Sequence, residues 1–203
     1  MNNASRPLIT FKPDDIRFTY RVGGILIQRE HLLCQFAGEE GFWFLPGGRA
    51  EVGEPARATL LRETQEELGE VLQIERLLYI VENFFTDASG AWHELGLYFL
   101  LSAPADSLLT QSLETFTRLD EVGHSLRFDW LPIAQLETFA LYPPFFRTAL
   151  KDLPDHPVHR EEHHSALSTH EYSRQLLARR QCIRYFHYST TCFLLTPEEY
   201  ERE

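Results

Sequence analysis

Residues 48–69 read GRAEVGEPARATLLRETQEELG, and within them Glu63, Glu66 and Glu67 stand at i, i+3 and i+4. The run 55–68 has proline at its first position and glycine just beyond its end, which predicts a helix. On that helix the three glutamates share one face. Ala58, Leu61 and Leu68 fall on roughly the opposite face and are expected to pack inward. Like charges at this spacing repel by roughly 0.2–0.5 kcal/mol per pair, so the arrangement works against itself unless a cation sits there. Oxygen-only ligands without histidine or cysteine suit hard ions such as Mg²⁺ or Mn²⁺. Arg62, four residues before Glu66, is placed to orient a carboxylate by a charge-assisted hydrogen bond. Gly47 and Gly48 let the backbone turn tightly, so that a main-chain carbonyl can join such a shell. The plain alternative is a solvated acidic helix face with no chemistry.

The loop before the helix bears on that choice. Gly48, Glu54, Arg62, Glu63, Glu66, Glu67 and Gly69 fit the pattern G-x5-E-x7-R-E-U-x-E-E-x-G-U, with U aliphatic, and the stretch resembles the Nudix box. With each residue at roughly 7% frequency, chance agreement at all seven positions is on the order of 10⁻⁸ per starting point. Thr64 and Glu70 stand where the pattern has aliphatic residues. Thr64 is expected still to pack, and Glu70 to change the packing of the helix end without disturbing the carboxylates. Leu45-Pro46-Gly47-Gly48-Arg49 resembles the family's approach to the box. Phe128-Asp129-Trp130-Leu131-Pro132, then Gln135-Leu136, resembles its late strand and helix start. The resemblance covers about residues 15–152. It implies an α/β Nudix fold: an α/β/α sandwich with a mixed β-sheet, the box forming a loop and helix.

The resemblance also implies metal-dependent hydrolysis of a pyrophosphate bond in a nucleoside diphosphate-linked substrate, with Mg²⁺ or Mn²⁺ as cofactor. Carried onto this sequence, Glu63, Glu66 and Glu67 bind the metal with the carbonyl of Gly47, Glu54 supports them, and Arg62 holds the carboxylates. The general base is left open among Glu63, Glu94, Asp120 and Glu121. Substrate contacts fall outside the box: Trp43, Phe44 and Phe84 are candidates for stacking, and Arg21, Arg49, Arg118 and Arg127 for phosphate. Phe84-Phe85-Thr86 occupies the region where the ADP-ribose type has a proline, so the substrate is a small nucleotide-like molecule of unnamed class. Two other readings share the fold. A ligand sensor without turnover typically loses box carboxylates, which are all present here. An isopentenyl-diphosphate isomerase relative needs a cysteine for which Cys34 is not obviously placed.

Around the box, alternating and apolar runs predict strands within 16–45, at 77–85, 94–101 and 128–131, and helical stretches at 133–139 and before residue 150. Residues 104–123 are polar and irregular, a candidate active-site loop. Residues 1–154 form the expected catalytic domain. Residues 155–203 form an extension in which His156, His159, His163, His164 and His170 crowd a polar stretch. Their spacing matches no recognised zinc set, and a polar linker is the expectation. Further on, 171–181 reads as helix and 182–195 as β-like. The formal charge of −11, from 30 acidic and 19 basic residues, opposes a nucleic-acid partner. Three scattered cysteines suit a reducing cytoplasm, and no apolar run approaches membrane-spanning length. A homodimer is expected only by analogy with the family.

Overall fold

In the computed structural model, which describes residues 6–38, 41–87, 90–120 and 123–165, the alternation beginning at Ile16 becomes the long strand β2 (Ile16–Gln28), preceded by β1 (Thr10–Phe11). Arg29 and Glu30 both take positive φ, 47° and 61°, the geometry of a two-residue hairpin turn. They lead into β3 (His31–Ala37), β4 (Phe42–Phe44), β5 (Gly47–Arg49) and α1 (Ala56–Leu68). A long hairpin follows, β6 (Gln73–Asp87) and β7 (Gly90–Ser102). Then come α2 (Leu108–Gln111), β8 (Phe116–Leu119), β9 (Ser125–Pro132), a 3-10 turn (Ile133–Thr138), β10 (Leu141–Tyr142), α3 (Phe146–Ala149) and β11 (Val158–Ser165).

The sheet is mixed. β2 runs parallel to β7 from Ile16↔Ala91 to Leu26↔Leu101, and β7 pairs antiparallel with β6. β3 pairs antiparallel with β9 and β4. β2 and β3 pair at Ile27↔Leu32 and Gln28↔His31, beside their turn. Farther from that turn, β5 pairs with β2 from Arg21↔Arg49 to Gly23↔Gly47. This brings the start of the box against the middle of the sheet.

Each face of the sheet has a helical cover. On one side Leu60 and Leu68 of α1 pack with Val22, Leu26, Phe99 and Leu101. On the other, Leu136 of the 3-10 turn, Phe145, Phe146 and Leu150 pack with Ile25, Leu78, Val81 and Tyr98. Each such side chain contributes about 1.5–3 kcal/mol by leaving water. The result is the α/β/α arrangement anticipated from the sequence.

Some details differ from the sequence reading. The buried residues of α1 are Thr59, Leu60, Thr64 and Leu68, whereas Ala58 and Leu61 are exposed. The buried stripe 60–64–68 therefore lies beside Glu63 and Glu67, and burying it carries those carboxylates to the sheet instead of away from it. Thr64 packs fully, its hydroxyl donating to the carbonyl of Leu61 at 3.2 Å. Glu70 accepts the amide of Leu108 at the start of α2. The stretch 104–123 holds α2 and β8 and is not an irregular loop throughout. The histidine-bearing segment after Pro154 contains a strand, not a linker: β11 adds in parallel to β6 from Val158↔Tyr79 to Ser165↔Thr86. Residues 166–203, with His170, Cys182, Cys192 and the helix and β-like run expected there, lie outside the described residues. Among the described residues no helix is long and apolar enough to cross a membrane.

Candidate active site

Two glycines shape the approach to α1 for different reasons. Gly47 takes φ 127°, and a Cβ there would lie 2.3 Å from the carbonyl oxygen of Val22, so only glycine fits. At Gly48 a Cβ would lie 2.2 Å from Cδ of Glu63. The Glu63 carboxylate thus occupies the space that a side chain at 48 would fill. Pro55 opens α1, and Gly69 closes it in the left-handed conformation at φ 69°, its amide bonding the carbonyl of Gln65.

Arg62 ties the loop to the helix. Its Nε and Nη2 donate to the two oxygens of Glu54 at 3.0 and 3.1 Å, its Nη1 to Glu63 at 2.8 Å and Glu66 at 3.0 Å, and its Nη2 also to the carbonyl of Arg49. The paired bonds to Glu54 use the planar fork that only arginine offers. Glu54 also accepts from the Thr59 hydroxyl and the Glu51 amide. The Arg62 bonds, with those from the Glu51 amide and Thr59, hold the Glu54 carboxyl down to about 2. Thr59 had no place in the sequence reading, although its position on the helix face next to Glu54 is the signal for it.

Glu67 turns toward the glycine loop and accepts the amide of Gly47 at 3.2 Å. Burial lifts its carboxyl to about 7, against the pull of Arg21 and the Gly47 amide and with a further push from Glu63 and Glu66. Arg21, a sequence candidate for phosphate, instead donates Nη2 to the carbonyls of Gly47 and Leu45 at 2.8 and 3.1 Å. The same guanidinium draws on Glu94, so Arg21 stands between the box and Glu94. Burial raises the Glu94 carboxyl, opposed by Arg21, Asn83 and Arg49.

Among the described residues no three acidic, histidine or cysteine side chains are grouped as a metal cage: Arg62 engages Glu63 and Glu66, and Glu67 is turned to Gly47. A hexacoordinate Mg²⁺ takes one or two carboxylates and fills its shell with water and phosphate oxygens, so a full protein cage is not what it requires. The donors fit a hard cation. They are all oxygens, the Glu63 carboxylate is seated against Gly48, and the partly buried Glu67 beside Glu63 and Glu66 has its charge incompletely offset.

The other candidates are dispersed. Trp43 points away from Phe42 and Phe44 by strand alternation; it packs on Phe36 and Phe139 and donates Nε1 to Asp129 at 2.9 Å. It is partly buried and packs against the core on that face of the sheet. Phe44 does lie at the site, beneath the Arg21 guanidinium, and Arg49 lies 5.8 Å from the Trp92 ring centre. Phe84 is stacked between His93 and His163 on the opposite face of β6 from Asn83. Arg118 donates to the carbonyl of Leu68 and Arg127 to Asp129. Asp120 accepts from the amide of His124 and pairs with its ring in a turn, and Glu121 lies outside the described residues. Asn83, Trp92, Tyr142 and His164, near Glu94, went unremarked in the sequence as site residues; only strand register brings them together.

Comparison with known proteins completes the picture. The profile of the NUDIX domain family matches residues 17–153. The MutT protein of Bacillus halodurans is similar in structure at 14% identity, with 71% of this chain and 90% of that one covered and a TM-score of 0.49. A MutT NUDIX hydrolase from Burkholderia pseudomallei is 25% identical over 58% of this chain and 84% of its own, TM-score 0.41. An ADP-ribose pyrophosphatase from Streptococcus suis is 15% identical over 70% and 98%, TM-score 0.42. No curated protein matches in sequence.

Proposed function

The chain belongs to the Nudix family, and from that premise we propose that it is a divalent-cation-dependent pyrophosphohydrolase acting on a nucleoside diphosphate linked to a second group. The observation that carries the reading is Arg62 gathering Glu54, Glu63 and Glu66 beside a partly buried Glu67 that accepts from Gly47. Glu63, Glu66 and Glu67, with the carbonyl of Gly47, are the residues that would hold Mg²⁺ or Mn²⁺. Bound there, such an ion would supply charge screening for the diphosphate and a lowered pKa for a water.

The chain's own groups divide the remaining work. Arg62 fixes the two carboxylates it touches, and Glu54, held ionised, fixes Arg62. Glu63 has one oxygen on Arg62 and takes the proton from the attacking water with the other. Water adds to one phosphorus, the bridging P–O bond breaks, and the leaving phosphate departs with the displaced oxygen. Arg21 holds the Gly47 carbonyl in position, and Glu94 contacts the substrate beyond it. The buried free thiol of Cys34 suits a reducing cytoplasm, and a homodimer is the assembly to test by sedimentation.

A panel of nucleotides, nucleotide-sugars and dinucleotides assayed for phosphate release with Mg²⁺ tests the proposal. Turnover of one class, falling at least about 100-fold in Glu67→Gln, is expected. Full activity in that variant sinks the carboxylate mechanism. Silence across the panel, with nucleotides still raising the Tm, points to a sensor instead.

A further inference from the structure

One face of β2, β7, β6 and β11 carries a second polar group beyond the box. Register sets Trp92 opposite Phe85 and Phe85 opposite His164, while Glu94 lies opposite both Asn83 and Thr19. The three rings form a parallel row: Phe85 lies 5.6 Å from Trp92 at 5° and 5.7 Å from His164 at 9°. From His164 the perimeter continues through Tyr142 at 5.5 Å and Phe42 to Phe44, over which Arg21 lies at 5.3 Å. It returns through Arg49, which pairs with Arg21 in register and approaches Trp92, whose ring Arg17 covers at 4.6 Å.

Inside that perimeter runs a short hydrogen-bonded chain. His164 Nε2 meets Asn83 Oδ1 at 2.9 Å, and Asn83 Nδ2 donates to Glu94 at 3.5 Å. Burial raises the Glu94 carboxyl, and the residue as a whole is partly buried. Four buried side-chain polar atoms lack a partner among the described residues, and three of them, Thr19 Oγ1, Trp92 Nε1 and His164 Nδ1, belong to this face. Buried groups of this kind are ordinarily satisfied by ordered water or a ligand.

We propose that β11, which lies beyond the family match at 17–153, completes the substrate cleft, and that the ring-lined basin around Glu94, Asn83 and His164 binds the nucleobase of the substrate. Where the diphosphate lies rests on the pyrophosphohydrolase reading; the basin adds which half of the substrate lies beyond Arg21. Trp92 is buried, and the partly buried Phe85 and His164 offer aromatic contact to a planar heterocycle. The Glu94 carboxylate repels phosphate and accepts from the amino or imino groups of a base. Arg21 is committed to the carbonyls of Leu45 and Gly47, so it does not offer a free fork to a second phosphate there.

The test is calorimetric binding in EDTA, with AMP, GMP, CMP and UMP against ribose 5-phosphate, which removes metal and turnover from the readout. At least one nucleotide is expected to bind about tenfold more tightly than the sugar phosphate, the contribution of roughly one stacked base. That advantage is expected to vanish in His164→Ala and to return in part in His164→Phe, which keeps the ring and loses the nitrogens. With metal present, His164→Ala raises KM and leaves kcat within about twofold, the signature of lost ground-state binding. Equal binding of all probes, no detectable nucleotide binding, or an unchanged preference in a His164→Ala protein of wild-type Tm overturns the proposal. If hydrolysis fails across the substrate panel while the metal-free base preference and its loss in His164→Ala persist, the pyrophosphohydrolase reading falls and the base site stands.

Discussion

Arg21 donates Nη2 to the carbonyl of Gly47 at 2.8 Å, so a cation on β2 sets the orientation of a peptide group in the glycine loop. The same nitrogen reaches Leu45. Arg21→Met leaves both acceptors unpaired in a part-buried loop, at a cost of about 1–3 kcal/mol. Thermal melts should show that loss, and kcat should fall with it because Gly47 no longer has a fixed carbonyl. A melt and a kcat both equal to wild type would show that the loop holds itself.

The two loop glycines should fail in different ways. At Gly47 the obstacle is the backbone of Val22, and φ is 127°, so Gly47→Ala is expected to destabilise the fold by several kcal/mol, roughly the cost of overpacking plus strain. At Gly48 the obstacle is the end of the flexible Glu63 side chain. Gly48→Ala should therefore keep a near-normal Tm and lose activity, by about 100-fold if Glu63 carries the role proposed. Comparing Tm with kcat in the two variants separates a structural glycine from one that seats a carboxylate.

Arg62→Lys retains the charge and loses the fork. One ammonium does not reproduce paired bonds to Glu54 together with bonds to Glu63 and Glu66. Activity should fall about 10- to 100-fold, as for other residues that orient metal ligands, and half-maximal activation should move to higher Mg²⁺ concentration. A magnesium titration that superimposes on wild type contradicts the orienting role.

The acid side of the stability profile should carry the mark of Glu54. Its folded pKa, about 2, lies below the ordinary carboxylate value of 4.5 because Arg62 and its other donors bind the ionised form. A depressed pKa contributes stability that is present above pH 4.5 and lost as pH falls toward 2. Glu54→Gln should therefore lower the Tm at pH 6, with the gap to wild type narrowing steadily between pH 4.5 and 2.5. A constant gap over that range would assign the loss to packing and not to ionisation.

Glu54, Arg62 and the three helix glutamates were legible in the sequence because their relation is local: a helix repeat and a loop of fixed length set it. The same repeat misplaced Ala58 and Leu61, since periodicity finds a face and tertiary packing decides how far the buried stripe extends. The side to which Trp43 turns is not legible in the sequence for a related reason. An aromatic on a short strand faces one of two sides, and alternation with Phe42 and Phe44 decides the matter only once one neighbour is located. Asn83, Trp92, Tyr142 and His164 come from four strands, and their meeting depends on the register of β6 with β7 and β11. No pattern within any one of those segments records that register.

The parallel pairing of β2 with β7 joins residues 16–26 to 91–101, and β5 and α1 both lie within the chain it encloses. The carboxylates are thus adjacent in sequence, yet the surfaces that pin them, β2 above all, gain their other neighbour only after a distant segment has been made and has docked. Contacts of such long sequence separation form late and slowly. An isolated peptide spanning 48–69 would carry every residue of the box pattern without the β2 surface that positions it. Competence for cation binding is in that sense a property of the whole domain, dependent on a strand pair that spans both sides of the box.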